Sequence, residues 1–305
     1  MDESFEQFRT GVFAILGEPN VGKSTFLNRA VGQKIVITSP KPQTTRDKIA
    51  GILTDDTSQL VFLDTPGIVP PSDLLHEALM YRVNEALEDV DGAIHLRDAT
   101  RPEEAAAQLM AQYLAQVNAP VIEVWNKIDR LSPDSLKKLQ DQLNVGGRAI
   151  HFISALTGDG VPQVIKSLRA LAPEGPPLYS PDDLSDRDLR FLVAEIVREK
   201  VFALTQQEIP YSVATQTEEF IEHEDAKDYV LVHVFVEQES QKGIVIGKGG
   251  TMLRQIGAAA RPEIEELTGH GVFLELRVKV RKNWTKHPED LKQFGYTIPR
   301  KGRRR

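Results

Sequence analysis

Cysteine is absent from the 305 residues, which excludes disulfides, thiolate metal sites and a cysteine nucleophile, and fits a reducing compartment. Missing too is any apolar run near the roughly 20 residues that a membrane-spanning helix needs. The first ten residues, Met1 to Thr10, are polar and acidic. They lack the basic start and apolar stretch of a secretion signal, so the expectation is a cytoplasmic chain. The seven histidines (His76, His95, His151, His223, His233, His270, His287) are scattered without metal-ligand spacing and read as ordinary core or surface residues. What is present is a globular composition, 41% hydrophobic and 27% charged, with length enough for two domains that each bury a core.

The net charge of −7 conceals an asymmetry: residues 241–305 carry 15 Lys and Arg against 6 Asp and Glu, while the other residues carry 22 against 38. A basic end on an acidic body points to a local polyanion-binding surface. The extreme end, Arg300-Lys301-Gly302-Arg303-Arg304-Arg305, reads as a tail that adds charge rather than shape.

From Gly11 to about Ala172, short apolar runs alternate with helical periodicity. Val12–Leu16, Leu60–Leu63, Gly92–Leu96, Pro120–Trp125 and Ala149–Ile153 read as buried strands. Lys23–Val31, Leu74–Ala86, Pro102–Gln116 and Val161–Ala170 read as helices. This alternation predicts a doubly wound α/β domain with a parallel sheet, whose ligands lie at the carboxyl ends of the strands. Prolines 173, 176, 177 and 181 then break the pattern and predict a semi-rigid linker. Beyond it come a helix (Asp186–Leu204), a strand near Tyr211–Thr217, and a second strand in which Val230, Val232, Val234 and Val236 alternate. Two helices hinged on Gly247–Gly250 follow, and then a strand, Val272–Val280, again with period two. The order is α-β-β-α-α-β, a smaller α+β domain. The expected division is residues 1–172, a linker at 173–185, a second domain at 186–290 and a basic tail at 291–305.

Gly17-Glu18-Pro19-Asn20-Val21-Gly22-Lys23-Ser24, followed by Thr25, leaves the first strand and opens a helix. Glycines in that context turn backbone N–H groups onto phosphates, and the helix N-terminus adds positive potential. Lys23 is placed to neutralise the β- and γ-phosphates and the Ser24 hydroxyl to ligate Mg²⁺. Asp64-Thr65-Pro66-Gly67 ends another strand, where a carboxylate holds Mg²⁺, usually through water. Asn126-Lys127-Ile128-Asp129 closes a third. Guanine offers N1–H and a 2-amino group that a carboxylate accepts together; adenine offers neither, and a buried Asp129 would be left unpaired at a cost of about 1–3 kcal/mol. Lys127 is expected to lay its stem over the base, and Asn126 to tie its loop to the phosphate loop. The main-chain N–H of Ala155, in Ser154-Ala155, would reach the guanine O6. The residue after Gly67 is Ile68, which has no hydrogen-bonding group to orient a water.

These segments resemble the G1, G3, G4 and G5 motifs of translation-factor-related GTPases, and Gln43-Thr44-Thr45-Arg46 resembles the G2 segment of the Era-type branch. The resemblance implies that Thr45, with Thr44 as the neighbour it could be confused with, meets Mg²⁺ when γ-phosphate is present. It also implies that Val36–Lys48 orders with GTP and loosens after hydrolysis. Catalysis would then rest on Lys23, Mg²⁺, the Gly67 region and a further group. Asn20 sits in a Pro-Asn-x-Gly-Lys pattern whose relatives hold K⁺ near the β/γ bridge, although a phosphate-loop asparagine that only stiffens the turn remains the other reading.

In the second domain, Gly247-Lys248-Gly249-Gly250 between two helices resembles the loop of a type II KH domain, which clamps about four single-stranded nucleotides. Lys248 and Arg254 would supply charge; Ile244, Ile246, Leu253 and Ile256 would form core and groove floor. Arg277, Lys279, Arg281 and Lys282 extend the patch or merely form a solvated strand face. Together the two domains resemble the bacterial GTPase family Era over nearly the whole chain. That implies a monomeric GTPase, working with GTP/GDP, Mg²⁺ and K⁺, that binds the 3′ end of small-subunit (16S) ribosomal RNA in assembly of the small subunit. GTP state would control the grip, with weak peripheral contact at the inner membrane. Two other readings stay open: an RNA-binding protein that uses nucleotide as a latch without hydrolysis, and a GTPase that modifies transfer RNA. The second lacks any candidate redox or one-carbon cofactor site beyond the linker.

Overall fold

The computed structural model describes residues 8–39, 41, 44–103, 105–143, 150–206 and 208–298. Gln43 of the candidate switch segment, Ala149 of a predicted strand and the tail from residue 299 onward lie outside the described residues. The chain divides into two compact units: residues 1–36, 45–72 and 79–186 form the first, and residues 37–44, 73–78 and 187–305 the second.

The first unit is built on a six-stranded sheet in the order β2-β3-β1-β4-β5-β6. Its strands are β1 (Arg9–Leu16), β2 (Ile49–Thr54), β3 (Ser58–Asp64), β4 (Gly92–Asp98), β5 (Val121–Asn126) and β6 (Ile150–Phe152). Among them run α1 (Lys23–Val31), α2 (Leu74–Leu87), α3 (Ala107–Leu114), α4 (Pro133–Leu143) and α5 (Val161–Leu171). The amphipathic spacing of α5 buries Val161, Val164, Ile165 and Leu168, three to four residues apart as one helical face requires. The sheet departs from the all-parallel expectation at one edge. Strand β2 pairs antiparallel with β3, because Asp55 turns the chain tightly between them: its Oδ1 accepts the N–H groups of Thr57 and Ser58, each at 2.9 Å. A side-chain acceptor serving successive main-chain donors makes such a turn rigid. Helix α4 was not expected either, since Leu139 is its sole buried residue.

The proline-rich stretch runs against the first unit rather than away from it. Ile52 N–H donates to Leu184 O at 3.0 Å, Gly51 bridges Ser185, and Ala50 N–H reaches Asp186 Oδ1 at 2.9 Å. These contacts occupy main-chain groups that edge strand β2 would otherwise leave open for foreign strands. Gln59, fully buried, secures the strap through all its polar atoms. Its Oε1 accepts from Leu178 N (2.7 Å) and Tyr179 N (2.9 Å), and its Nε2 donates to Thr54 Oγ1 and Tyr179 O, both at 3.0 Å. Gln59→Leu removes the partner of four groups, but water reaches some of them, since Leu178 is exposed. At about 1–3 kcal/mol for each one that stays unpaired, the expected loss of stability is about 2–4 kcal/mol. A urea midpoint unchanged by the substitution would show that the strap is held by other contacts.

The second unit carries α6 (Leu189–Leu204), the short α7 (Ile209–Ser212), β7 (Ala214–Ile221), β8 (Asp228–Val236), α8 (Glu239–Ile246), α9 (Thr251–Thr268), β9 (Val272–Val280) and α10 (Pro288–Gln293). Its sheet has the order β7-β8-β9, with β7 antiparallel and β9 parallel to β8. Asp188 starts α6 by accepting the Phe191 N–H at 2.7 Å, an N-cap bond. Val230, Val232, Val234 and Val236 are all fully buried and pack with Val197, Ile256 and Ile264. The alternation seen in the sequence is thus the helix-facing side of the sheet. Packing continues past residue 290, where the sequence suggested a tail: Leu291 is fully buried, and Tyr296 stacks on Trp284 at 6.1 Å. Among the described residues no helix is long and apolar enough to cross a membrane.

Candidate functional site

In the first unit the carboxyl ends of β1, β3, β4 and β5 bring the sequence motifs together. The loop after β1 needs glycine at two points because other backbone and side chains press against it. A Cβ at Gly17 would lie 2.5 Å from the Leu96 carbonyl oxygen, and one at Gly22 2.3 Å from Asn126 Nδ2. Gly22 also has φ of +101°, and Asn20 has φ of +64°, a conformation asparagine tolerates better than most residues. Helix α1 begins at Lys23 directly behind, so its free N–H groups face the loop.

Lys23 is buried, and its Nζ donates to Gly17 O and Glu18 O, each at 3.0 Å. Burial lowers its pKa to about 8, against the opposing pull of Asp64 and Glu18. Phosphate oxygens arriving beside it favour the charged ammonium, so nucleotide binding near pH 8 must take up a proton. With a free-state pKa of about 8, the expected uptake at pH 8 is about half a proton per GDP. Calorimetry in buffers of different ionisation enthalpy measures it. A heat independent of buffer would place Lys23 away from the phosphates.

Next to the lysine lies a cluster of oxygens. Ser24 Oγ is 2.8 Å from Asp64 Oδ2 and 2.9 Å from Thr45 Oγ1, and Thr45 Oγ1 donates to the same carboxylate oxygen at 3.2 Å. Thr44 faces elsewhere, donating to the Lys41 carbonyl at 2.8 Å. Asp64 has no exposure, and its Oδ1 is buried without a hydrogen-bond partner. Burial raises its pKa, opposed by Lys23 and by hydrogen bonds from Ser24 and Thr45. Among the described residues no group of three or more His, Cys, Asp or Glu side chains could hold a metal. Two hydroxyls and one carboxylate nevertheless make a hard-oxygen set of the kind that Mg²⁺ shares with nucleotide phosphates. The orphaned buried Oδ1 fits an additional cation or its water.

Thr65 anchors the following turn by donating to Ile15 O at 2.6 Å. After Pro66, Gly67 lies so close to Pro19 that a Cβ would meet its backbone at 2.8 Å. Ile68 is fully buried, and its N–H reaches Gly17 O at 3.2 Å.

The base-reading loops are tied to the phosphate loop. Asn126 Nδ2 donates to Val21 O at 2.8 Å, the link expected from the sequence. The Ala155 N–H donates to Asn126 Oδ1 at 2.9 Å, so here it serves the loop rather than an open position. Asp129 Oδ1 accepts from Ser154 Oγ at 2.7 Å. Lys127, at φ +70°, donates to Asn20 O and to Asp98 Oδ2, the latter at 2.6 Å. Asp98 was overlooked in the sequence, although it ends β4 as the other motifs end their strands. Burial would raise its pKa, but the hydrogen bonds from Lys127 and Thr100 outweigh that and hold it below the usual carboxylate value.

In the second unit α8 and α9 meet at Gly247-Lys248-Gly249-Gly250. Gly247, Gly249 and Gly250 all have positive φ. A Cβ at Gly249 or Gly250 would meet nothing within 4 Å, so the loop's outer side is open to a close-approaching backbone. Arg254 turns back onto it, donating from Nη2 to Gly249 O at 2.8 Å and from Nε to Gly250 O at 3.3 Å. The guanidinium thereby shapes the loop and keeps its charge there. A groove of about 600 Å³ leads from Gly250 along α9 and β9, with Lys227, Arg254 and Arg261 among its lining residues. Lys227 and Arg261 were missed because neither lies in a motif. Ile256 is buried, and Ile246 and Leu253 pack against the core. Ile244 departs from expectation: it is 46% exposed, and Val245 takes the buried position of α8. Of the four basic residues along and just after β9, Arg277 pairs with Glu275 at 2.6 Å and Arg281 with Asp290 at 2.5 Å.

Both units have counterparts among known proteins. Residues 12–127 match the family described as 50S ribosome-binding GTPase, and residues 208–285 match the KH domain. The chain is 43% identical to GTPase Era of Lactobacillus helveticus over 95% of its own length and 97% of the relative's. It is 45% identical to GTPase Era of Geotalea daltonii over 95% and 99%. Among solved structures, an Aquifex aeolicus Era variant bound to GDP·AlF4⁻ superposes with a TM-score of 0.89 at 36% identity, covering 95% of this chain and 100% of that one. Era in complex with MgGDPNP and nucleotides 1506–1542 of 16S ribosomal RNA superposes at 0.88, also at 36% identity and with the same coverage.

Proposed function

The chain belongs to the Era family of GTPases, and on that premise we propose that it hydrolyses GTP to time its hold on the 3′ region of small-subunit ribosomal RNA during assembly of that subunit. The observation that carries the RNA half of this reading is the open glycine loop. Gly249 and Gly250 have left-handed backbones with no protein neighbour that a Cβ would touch. Glycine there is therefore explained by backbone conformation and by what approaches from outside, and phosphodiester backbone is the ligand such a loop takes. Lys248 at the loop, with Lys227, Arg254 and Arg261 along the groove, supplies the matching charge.

For hydrolysis, Lys23 holds the β- and γ-phosphates and stabilises the charge that develops on them. Ser24, Thr45 and Asp64 would hold Mg²⁺, which would neutralise part of the phosphates' charge. Gly67 presents its main chain at the γ-phosphate end of the site, and Ile68 keeps water out of the space behind it. A buried isoleucine cannot orient the attacking water, so that task would fall to main-chain groups, and a cation bound nearby would supply positive charge. Asn20, fixed in a left-handed turn beside the phosphate loop, is our candidate to hold K⁺ there. Equal phosphate release in Na⁺ and K⁺ buffers would remove that role. Asp129 selects guanine. The cytoplasm is the compartment where such RNA and GTP meet, and any contact with the inner membrane would be electrostatic and weak.

The test of the whole reading is Gly249→Asp. It sets a carboxylate against phosphate and places a side chain on a positive-φ residue, so binding to 16S nucleotides 1506–1542 should fall at least about tenfold at moderate salt. GDP affinity should be unchanged. RNA binding equal to that of the parent protein would move the clamp away from this loop.

A further inference from the structure

The groove that leaves the glycine loop ends at an aromatic ring that the fold does not use. Phe273 is the first outward residue of β9 and is 59% exposed, although it lines the same groove as Gly250, Arg254 and Arg261. Burying a phenylalanine is worth about 1.5–3 kcal/mol, and here most of that remains unrealised within the protein. The ring is nonetheless held in place. It pairs in register with Tyr229 of β8, and the two rings lie 6.0 Å apart with planes only 18° from parallel. Tyr229 is fixed in turn by donating its hydroxyl to Glu275 at 2.8 Å. Glu275 does not leave a bare negative charge beside the rings, because Arg277 pairs with it at 2.6 Å.

A flat ring with one face backed by a second ring, at the end of a groove bordered by Lys227 and Arg261, offers what an unpaired nucleobase needs. Cations track the phosphates and an aromatic surface takes the base, independent of which base it is. We infer that Phe273 is a stacking platform for one base of the single strand whose backbone the glycine loop clamps. The site adds a contact beyond the roughly four nucleotides that such a loop holds. The inference rests on the reading of this groove as an RNA clamp. It concerns a different interaction, made with a base and not with phosphate.

The experiment uses the full-length chain and labelled RNA of 16S nucleotides 1506–1542, intact and as a set in which each 3′-terminal nucleotide in turn is abasic. Phe273→Ala should weaken binding to the intact RNA about tenfold, the order of one lost base–aromatic stack. Phe273→Trp should restore it. At one abasic position the Phe273→Ala penalty should disappear, because the stacked base is already gone, while at the others it should persist. Since Phe273 is exposed, the alanine variant is expected to keep the parent's circular dichroism and melting temperature. Parent-like binding by Phe273→Ala, alongside loss of binding by Gly249→Asp, would overturn the platform and leave the clamp standing. So would a Phe273→Ala penalty that is the same on every abasic RNA. Parent-like binding by both variants would overturn the clamp itself, and the platform with it.

Discussion

Asp129→Asn is expected to lower affinity for GDP and GTP by about a hundredfold or more, and to raise affinity for the xanthine nucleotides. The reasoning starts at Ser154, whose hydroxyl donates to Asp129 Oδ1 at 2.7 Å. In the variant that hydroxyl still has an amide oxygen to donate to, and it selects the orientation of the amide. The oxygen faces Ser154, and the NH₂ group takes the place of the second carboxylate oxygen. Guanine presents two donors to this position, so one of them now meets another donor, and a desolvated unpaired polar group results. Xanthine keeps N1–H but carries a carbonyl where guanine has its amino group, so an amide satisfies both. The fold should not suffer. The Asn126 bonds to Val21 O and from Ala155 N–H hold the loop without Asp129. Competition of unlabelled GDP and XDP against a fluorescent nucleotide measures both affinities. If Asp129→Asn kept the parent's preference for guanine, another group would be reading the base.

The nucleotide site was legible in the sequence because each of its motifs ends a strand. Loops at strand ends must satisfy main-chain and ligand geometry together, and this restricts them to residues such as Gly17, Gly22, Asp64 and Asn126. Elements that carry no such restriction were missed. Strand β2 has Gly51 at its centre, which weakens any strand pattern. The structure gives the reason: a Cβ there would lie 2.5 Å from a methyl of Leu27, so close packing with α1 favours glycine. Helix α4 aligns Leu136, Leu139 and Leu143 on one face but buries Leu139 alone, so its apolar stripe is narrow and easily lost among the charged and amide residues around it. Phe273 was hidden differently. Period-two reading assigns Val272, Leu274, Leu276, Val278 and Val280 to the core and leaves the intervening residues as solvent-facing. Nothing in that pattern distinguishes an exposed phenylalanine on a groove from one on an open face. Which acidic residue partners Lys127 was also hidden. Asp98 and Lys127 meet because β4 and β5 lie side by side, with Asp98 paired to Asn126, a neighbourhood that only the sheet order supplies.

Lys23→Ala should reduce GTP affinity by about a thousandfold or more and bring hydrolysis below detection if the lysine, the buried cation of the phosphate loop, holds the phosphates as proposed. The substitution also removes the donor to Gly17 O and Glu18 O, so a loss of affinity alone would not separate a direct role from a collapsed loop. Two further readouts do. The first is ligand-linked stability. The parent protein should gain about 2.7 kcal/mol at a nucleotide concentration a hundredfold above its Kd, seen as a rise in melting temperature, and the variant should gain almost none. Its melting temperature without nucleotide should stay close to the parent's, since deleting a buried ammonium whose pKa is lowered by desolvation removes a cost along with two hydrogen bonds. The second is proton linkage. At nucleotide concentrations high enough to force binding, the uptake of about half a proton per GDP at pH 8 should vanish, because burial sets the pKa of Lys23 itself at about 8. The glycine loop and its groove belong to the second unit, with their own core, so nucleotide-free variant and nucleotide-free parent should bind the 16S segment alike. A variant that melts like the parent yet still takes up the proton would reassign the titrating group and, with it, the phosphate contact.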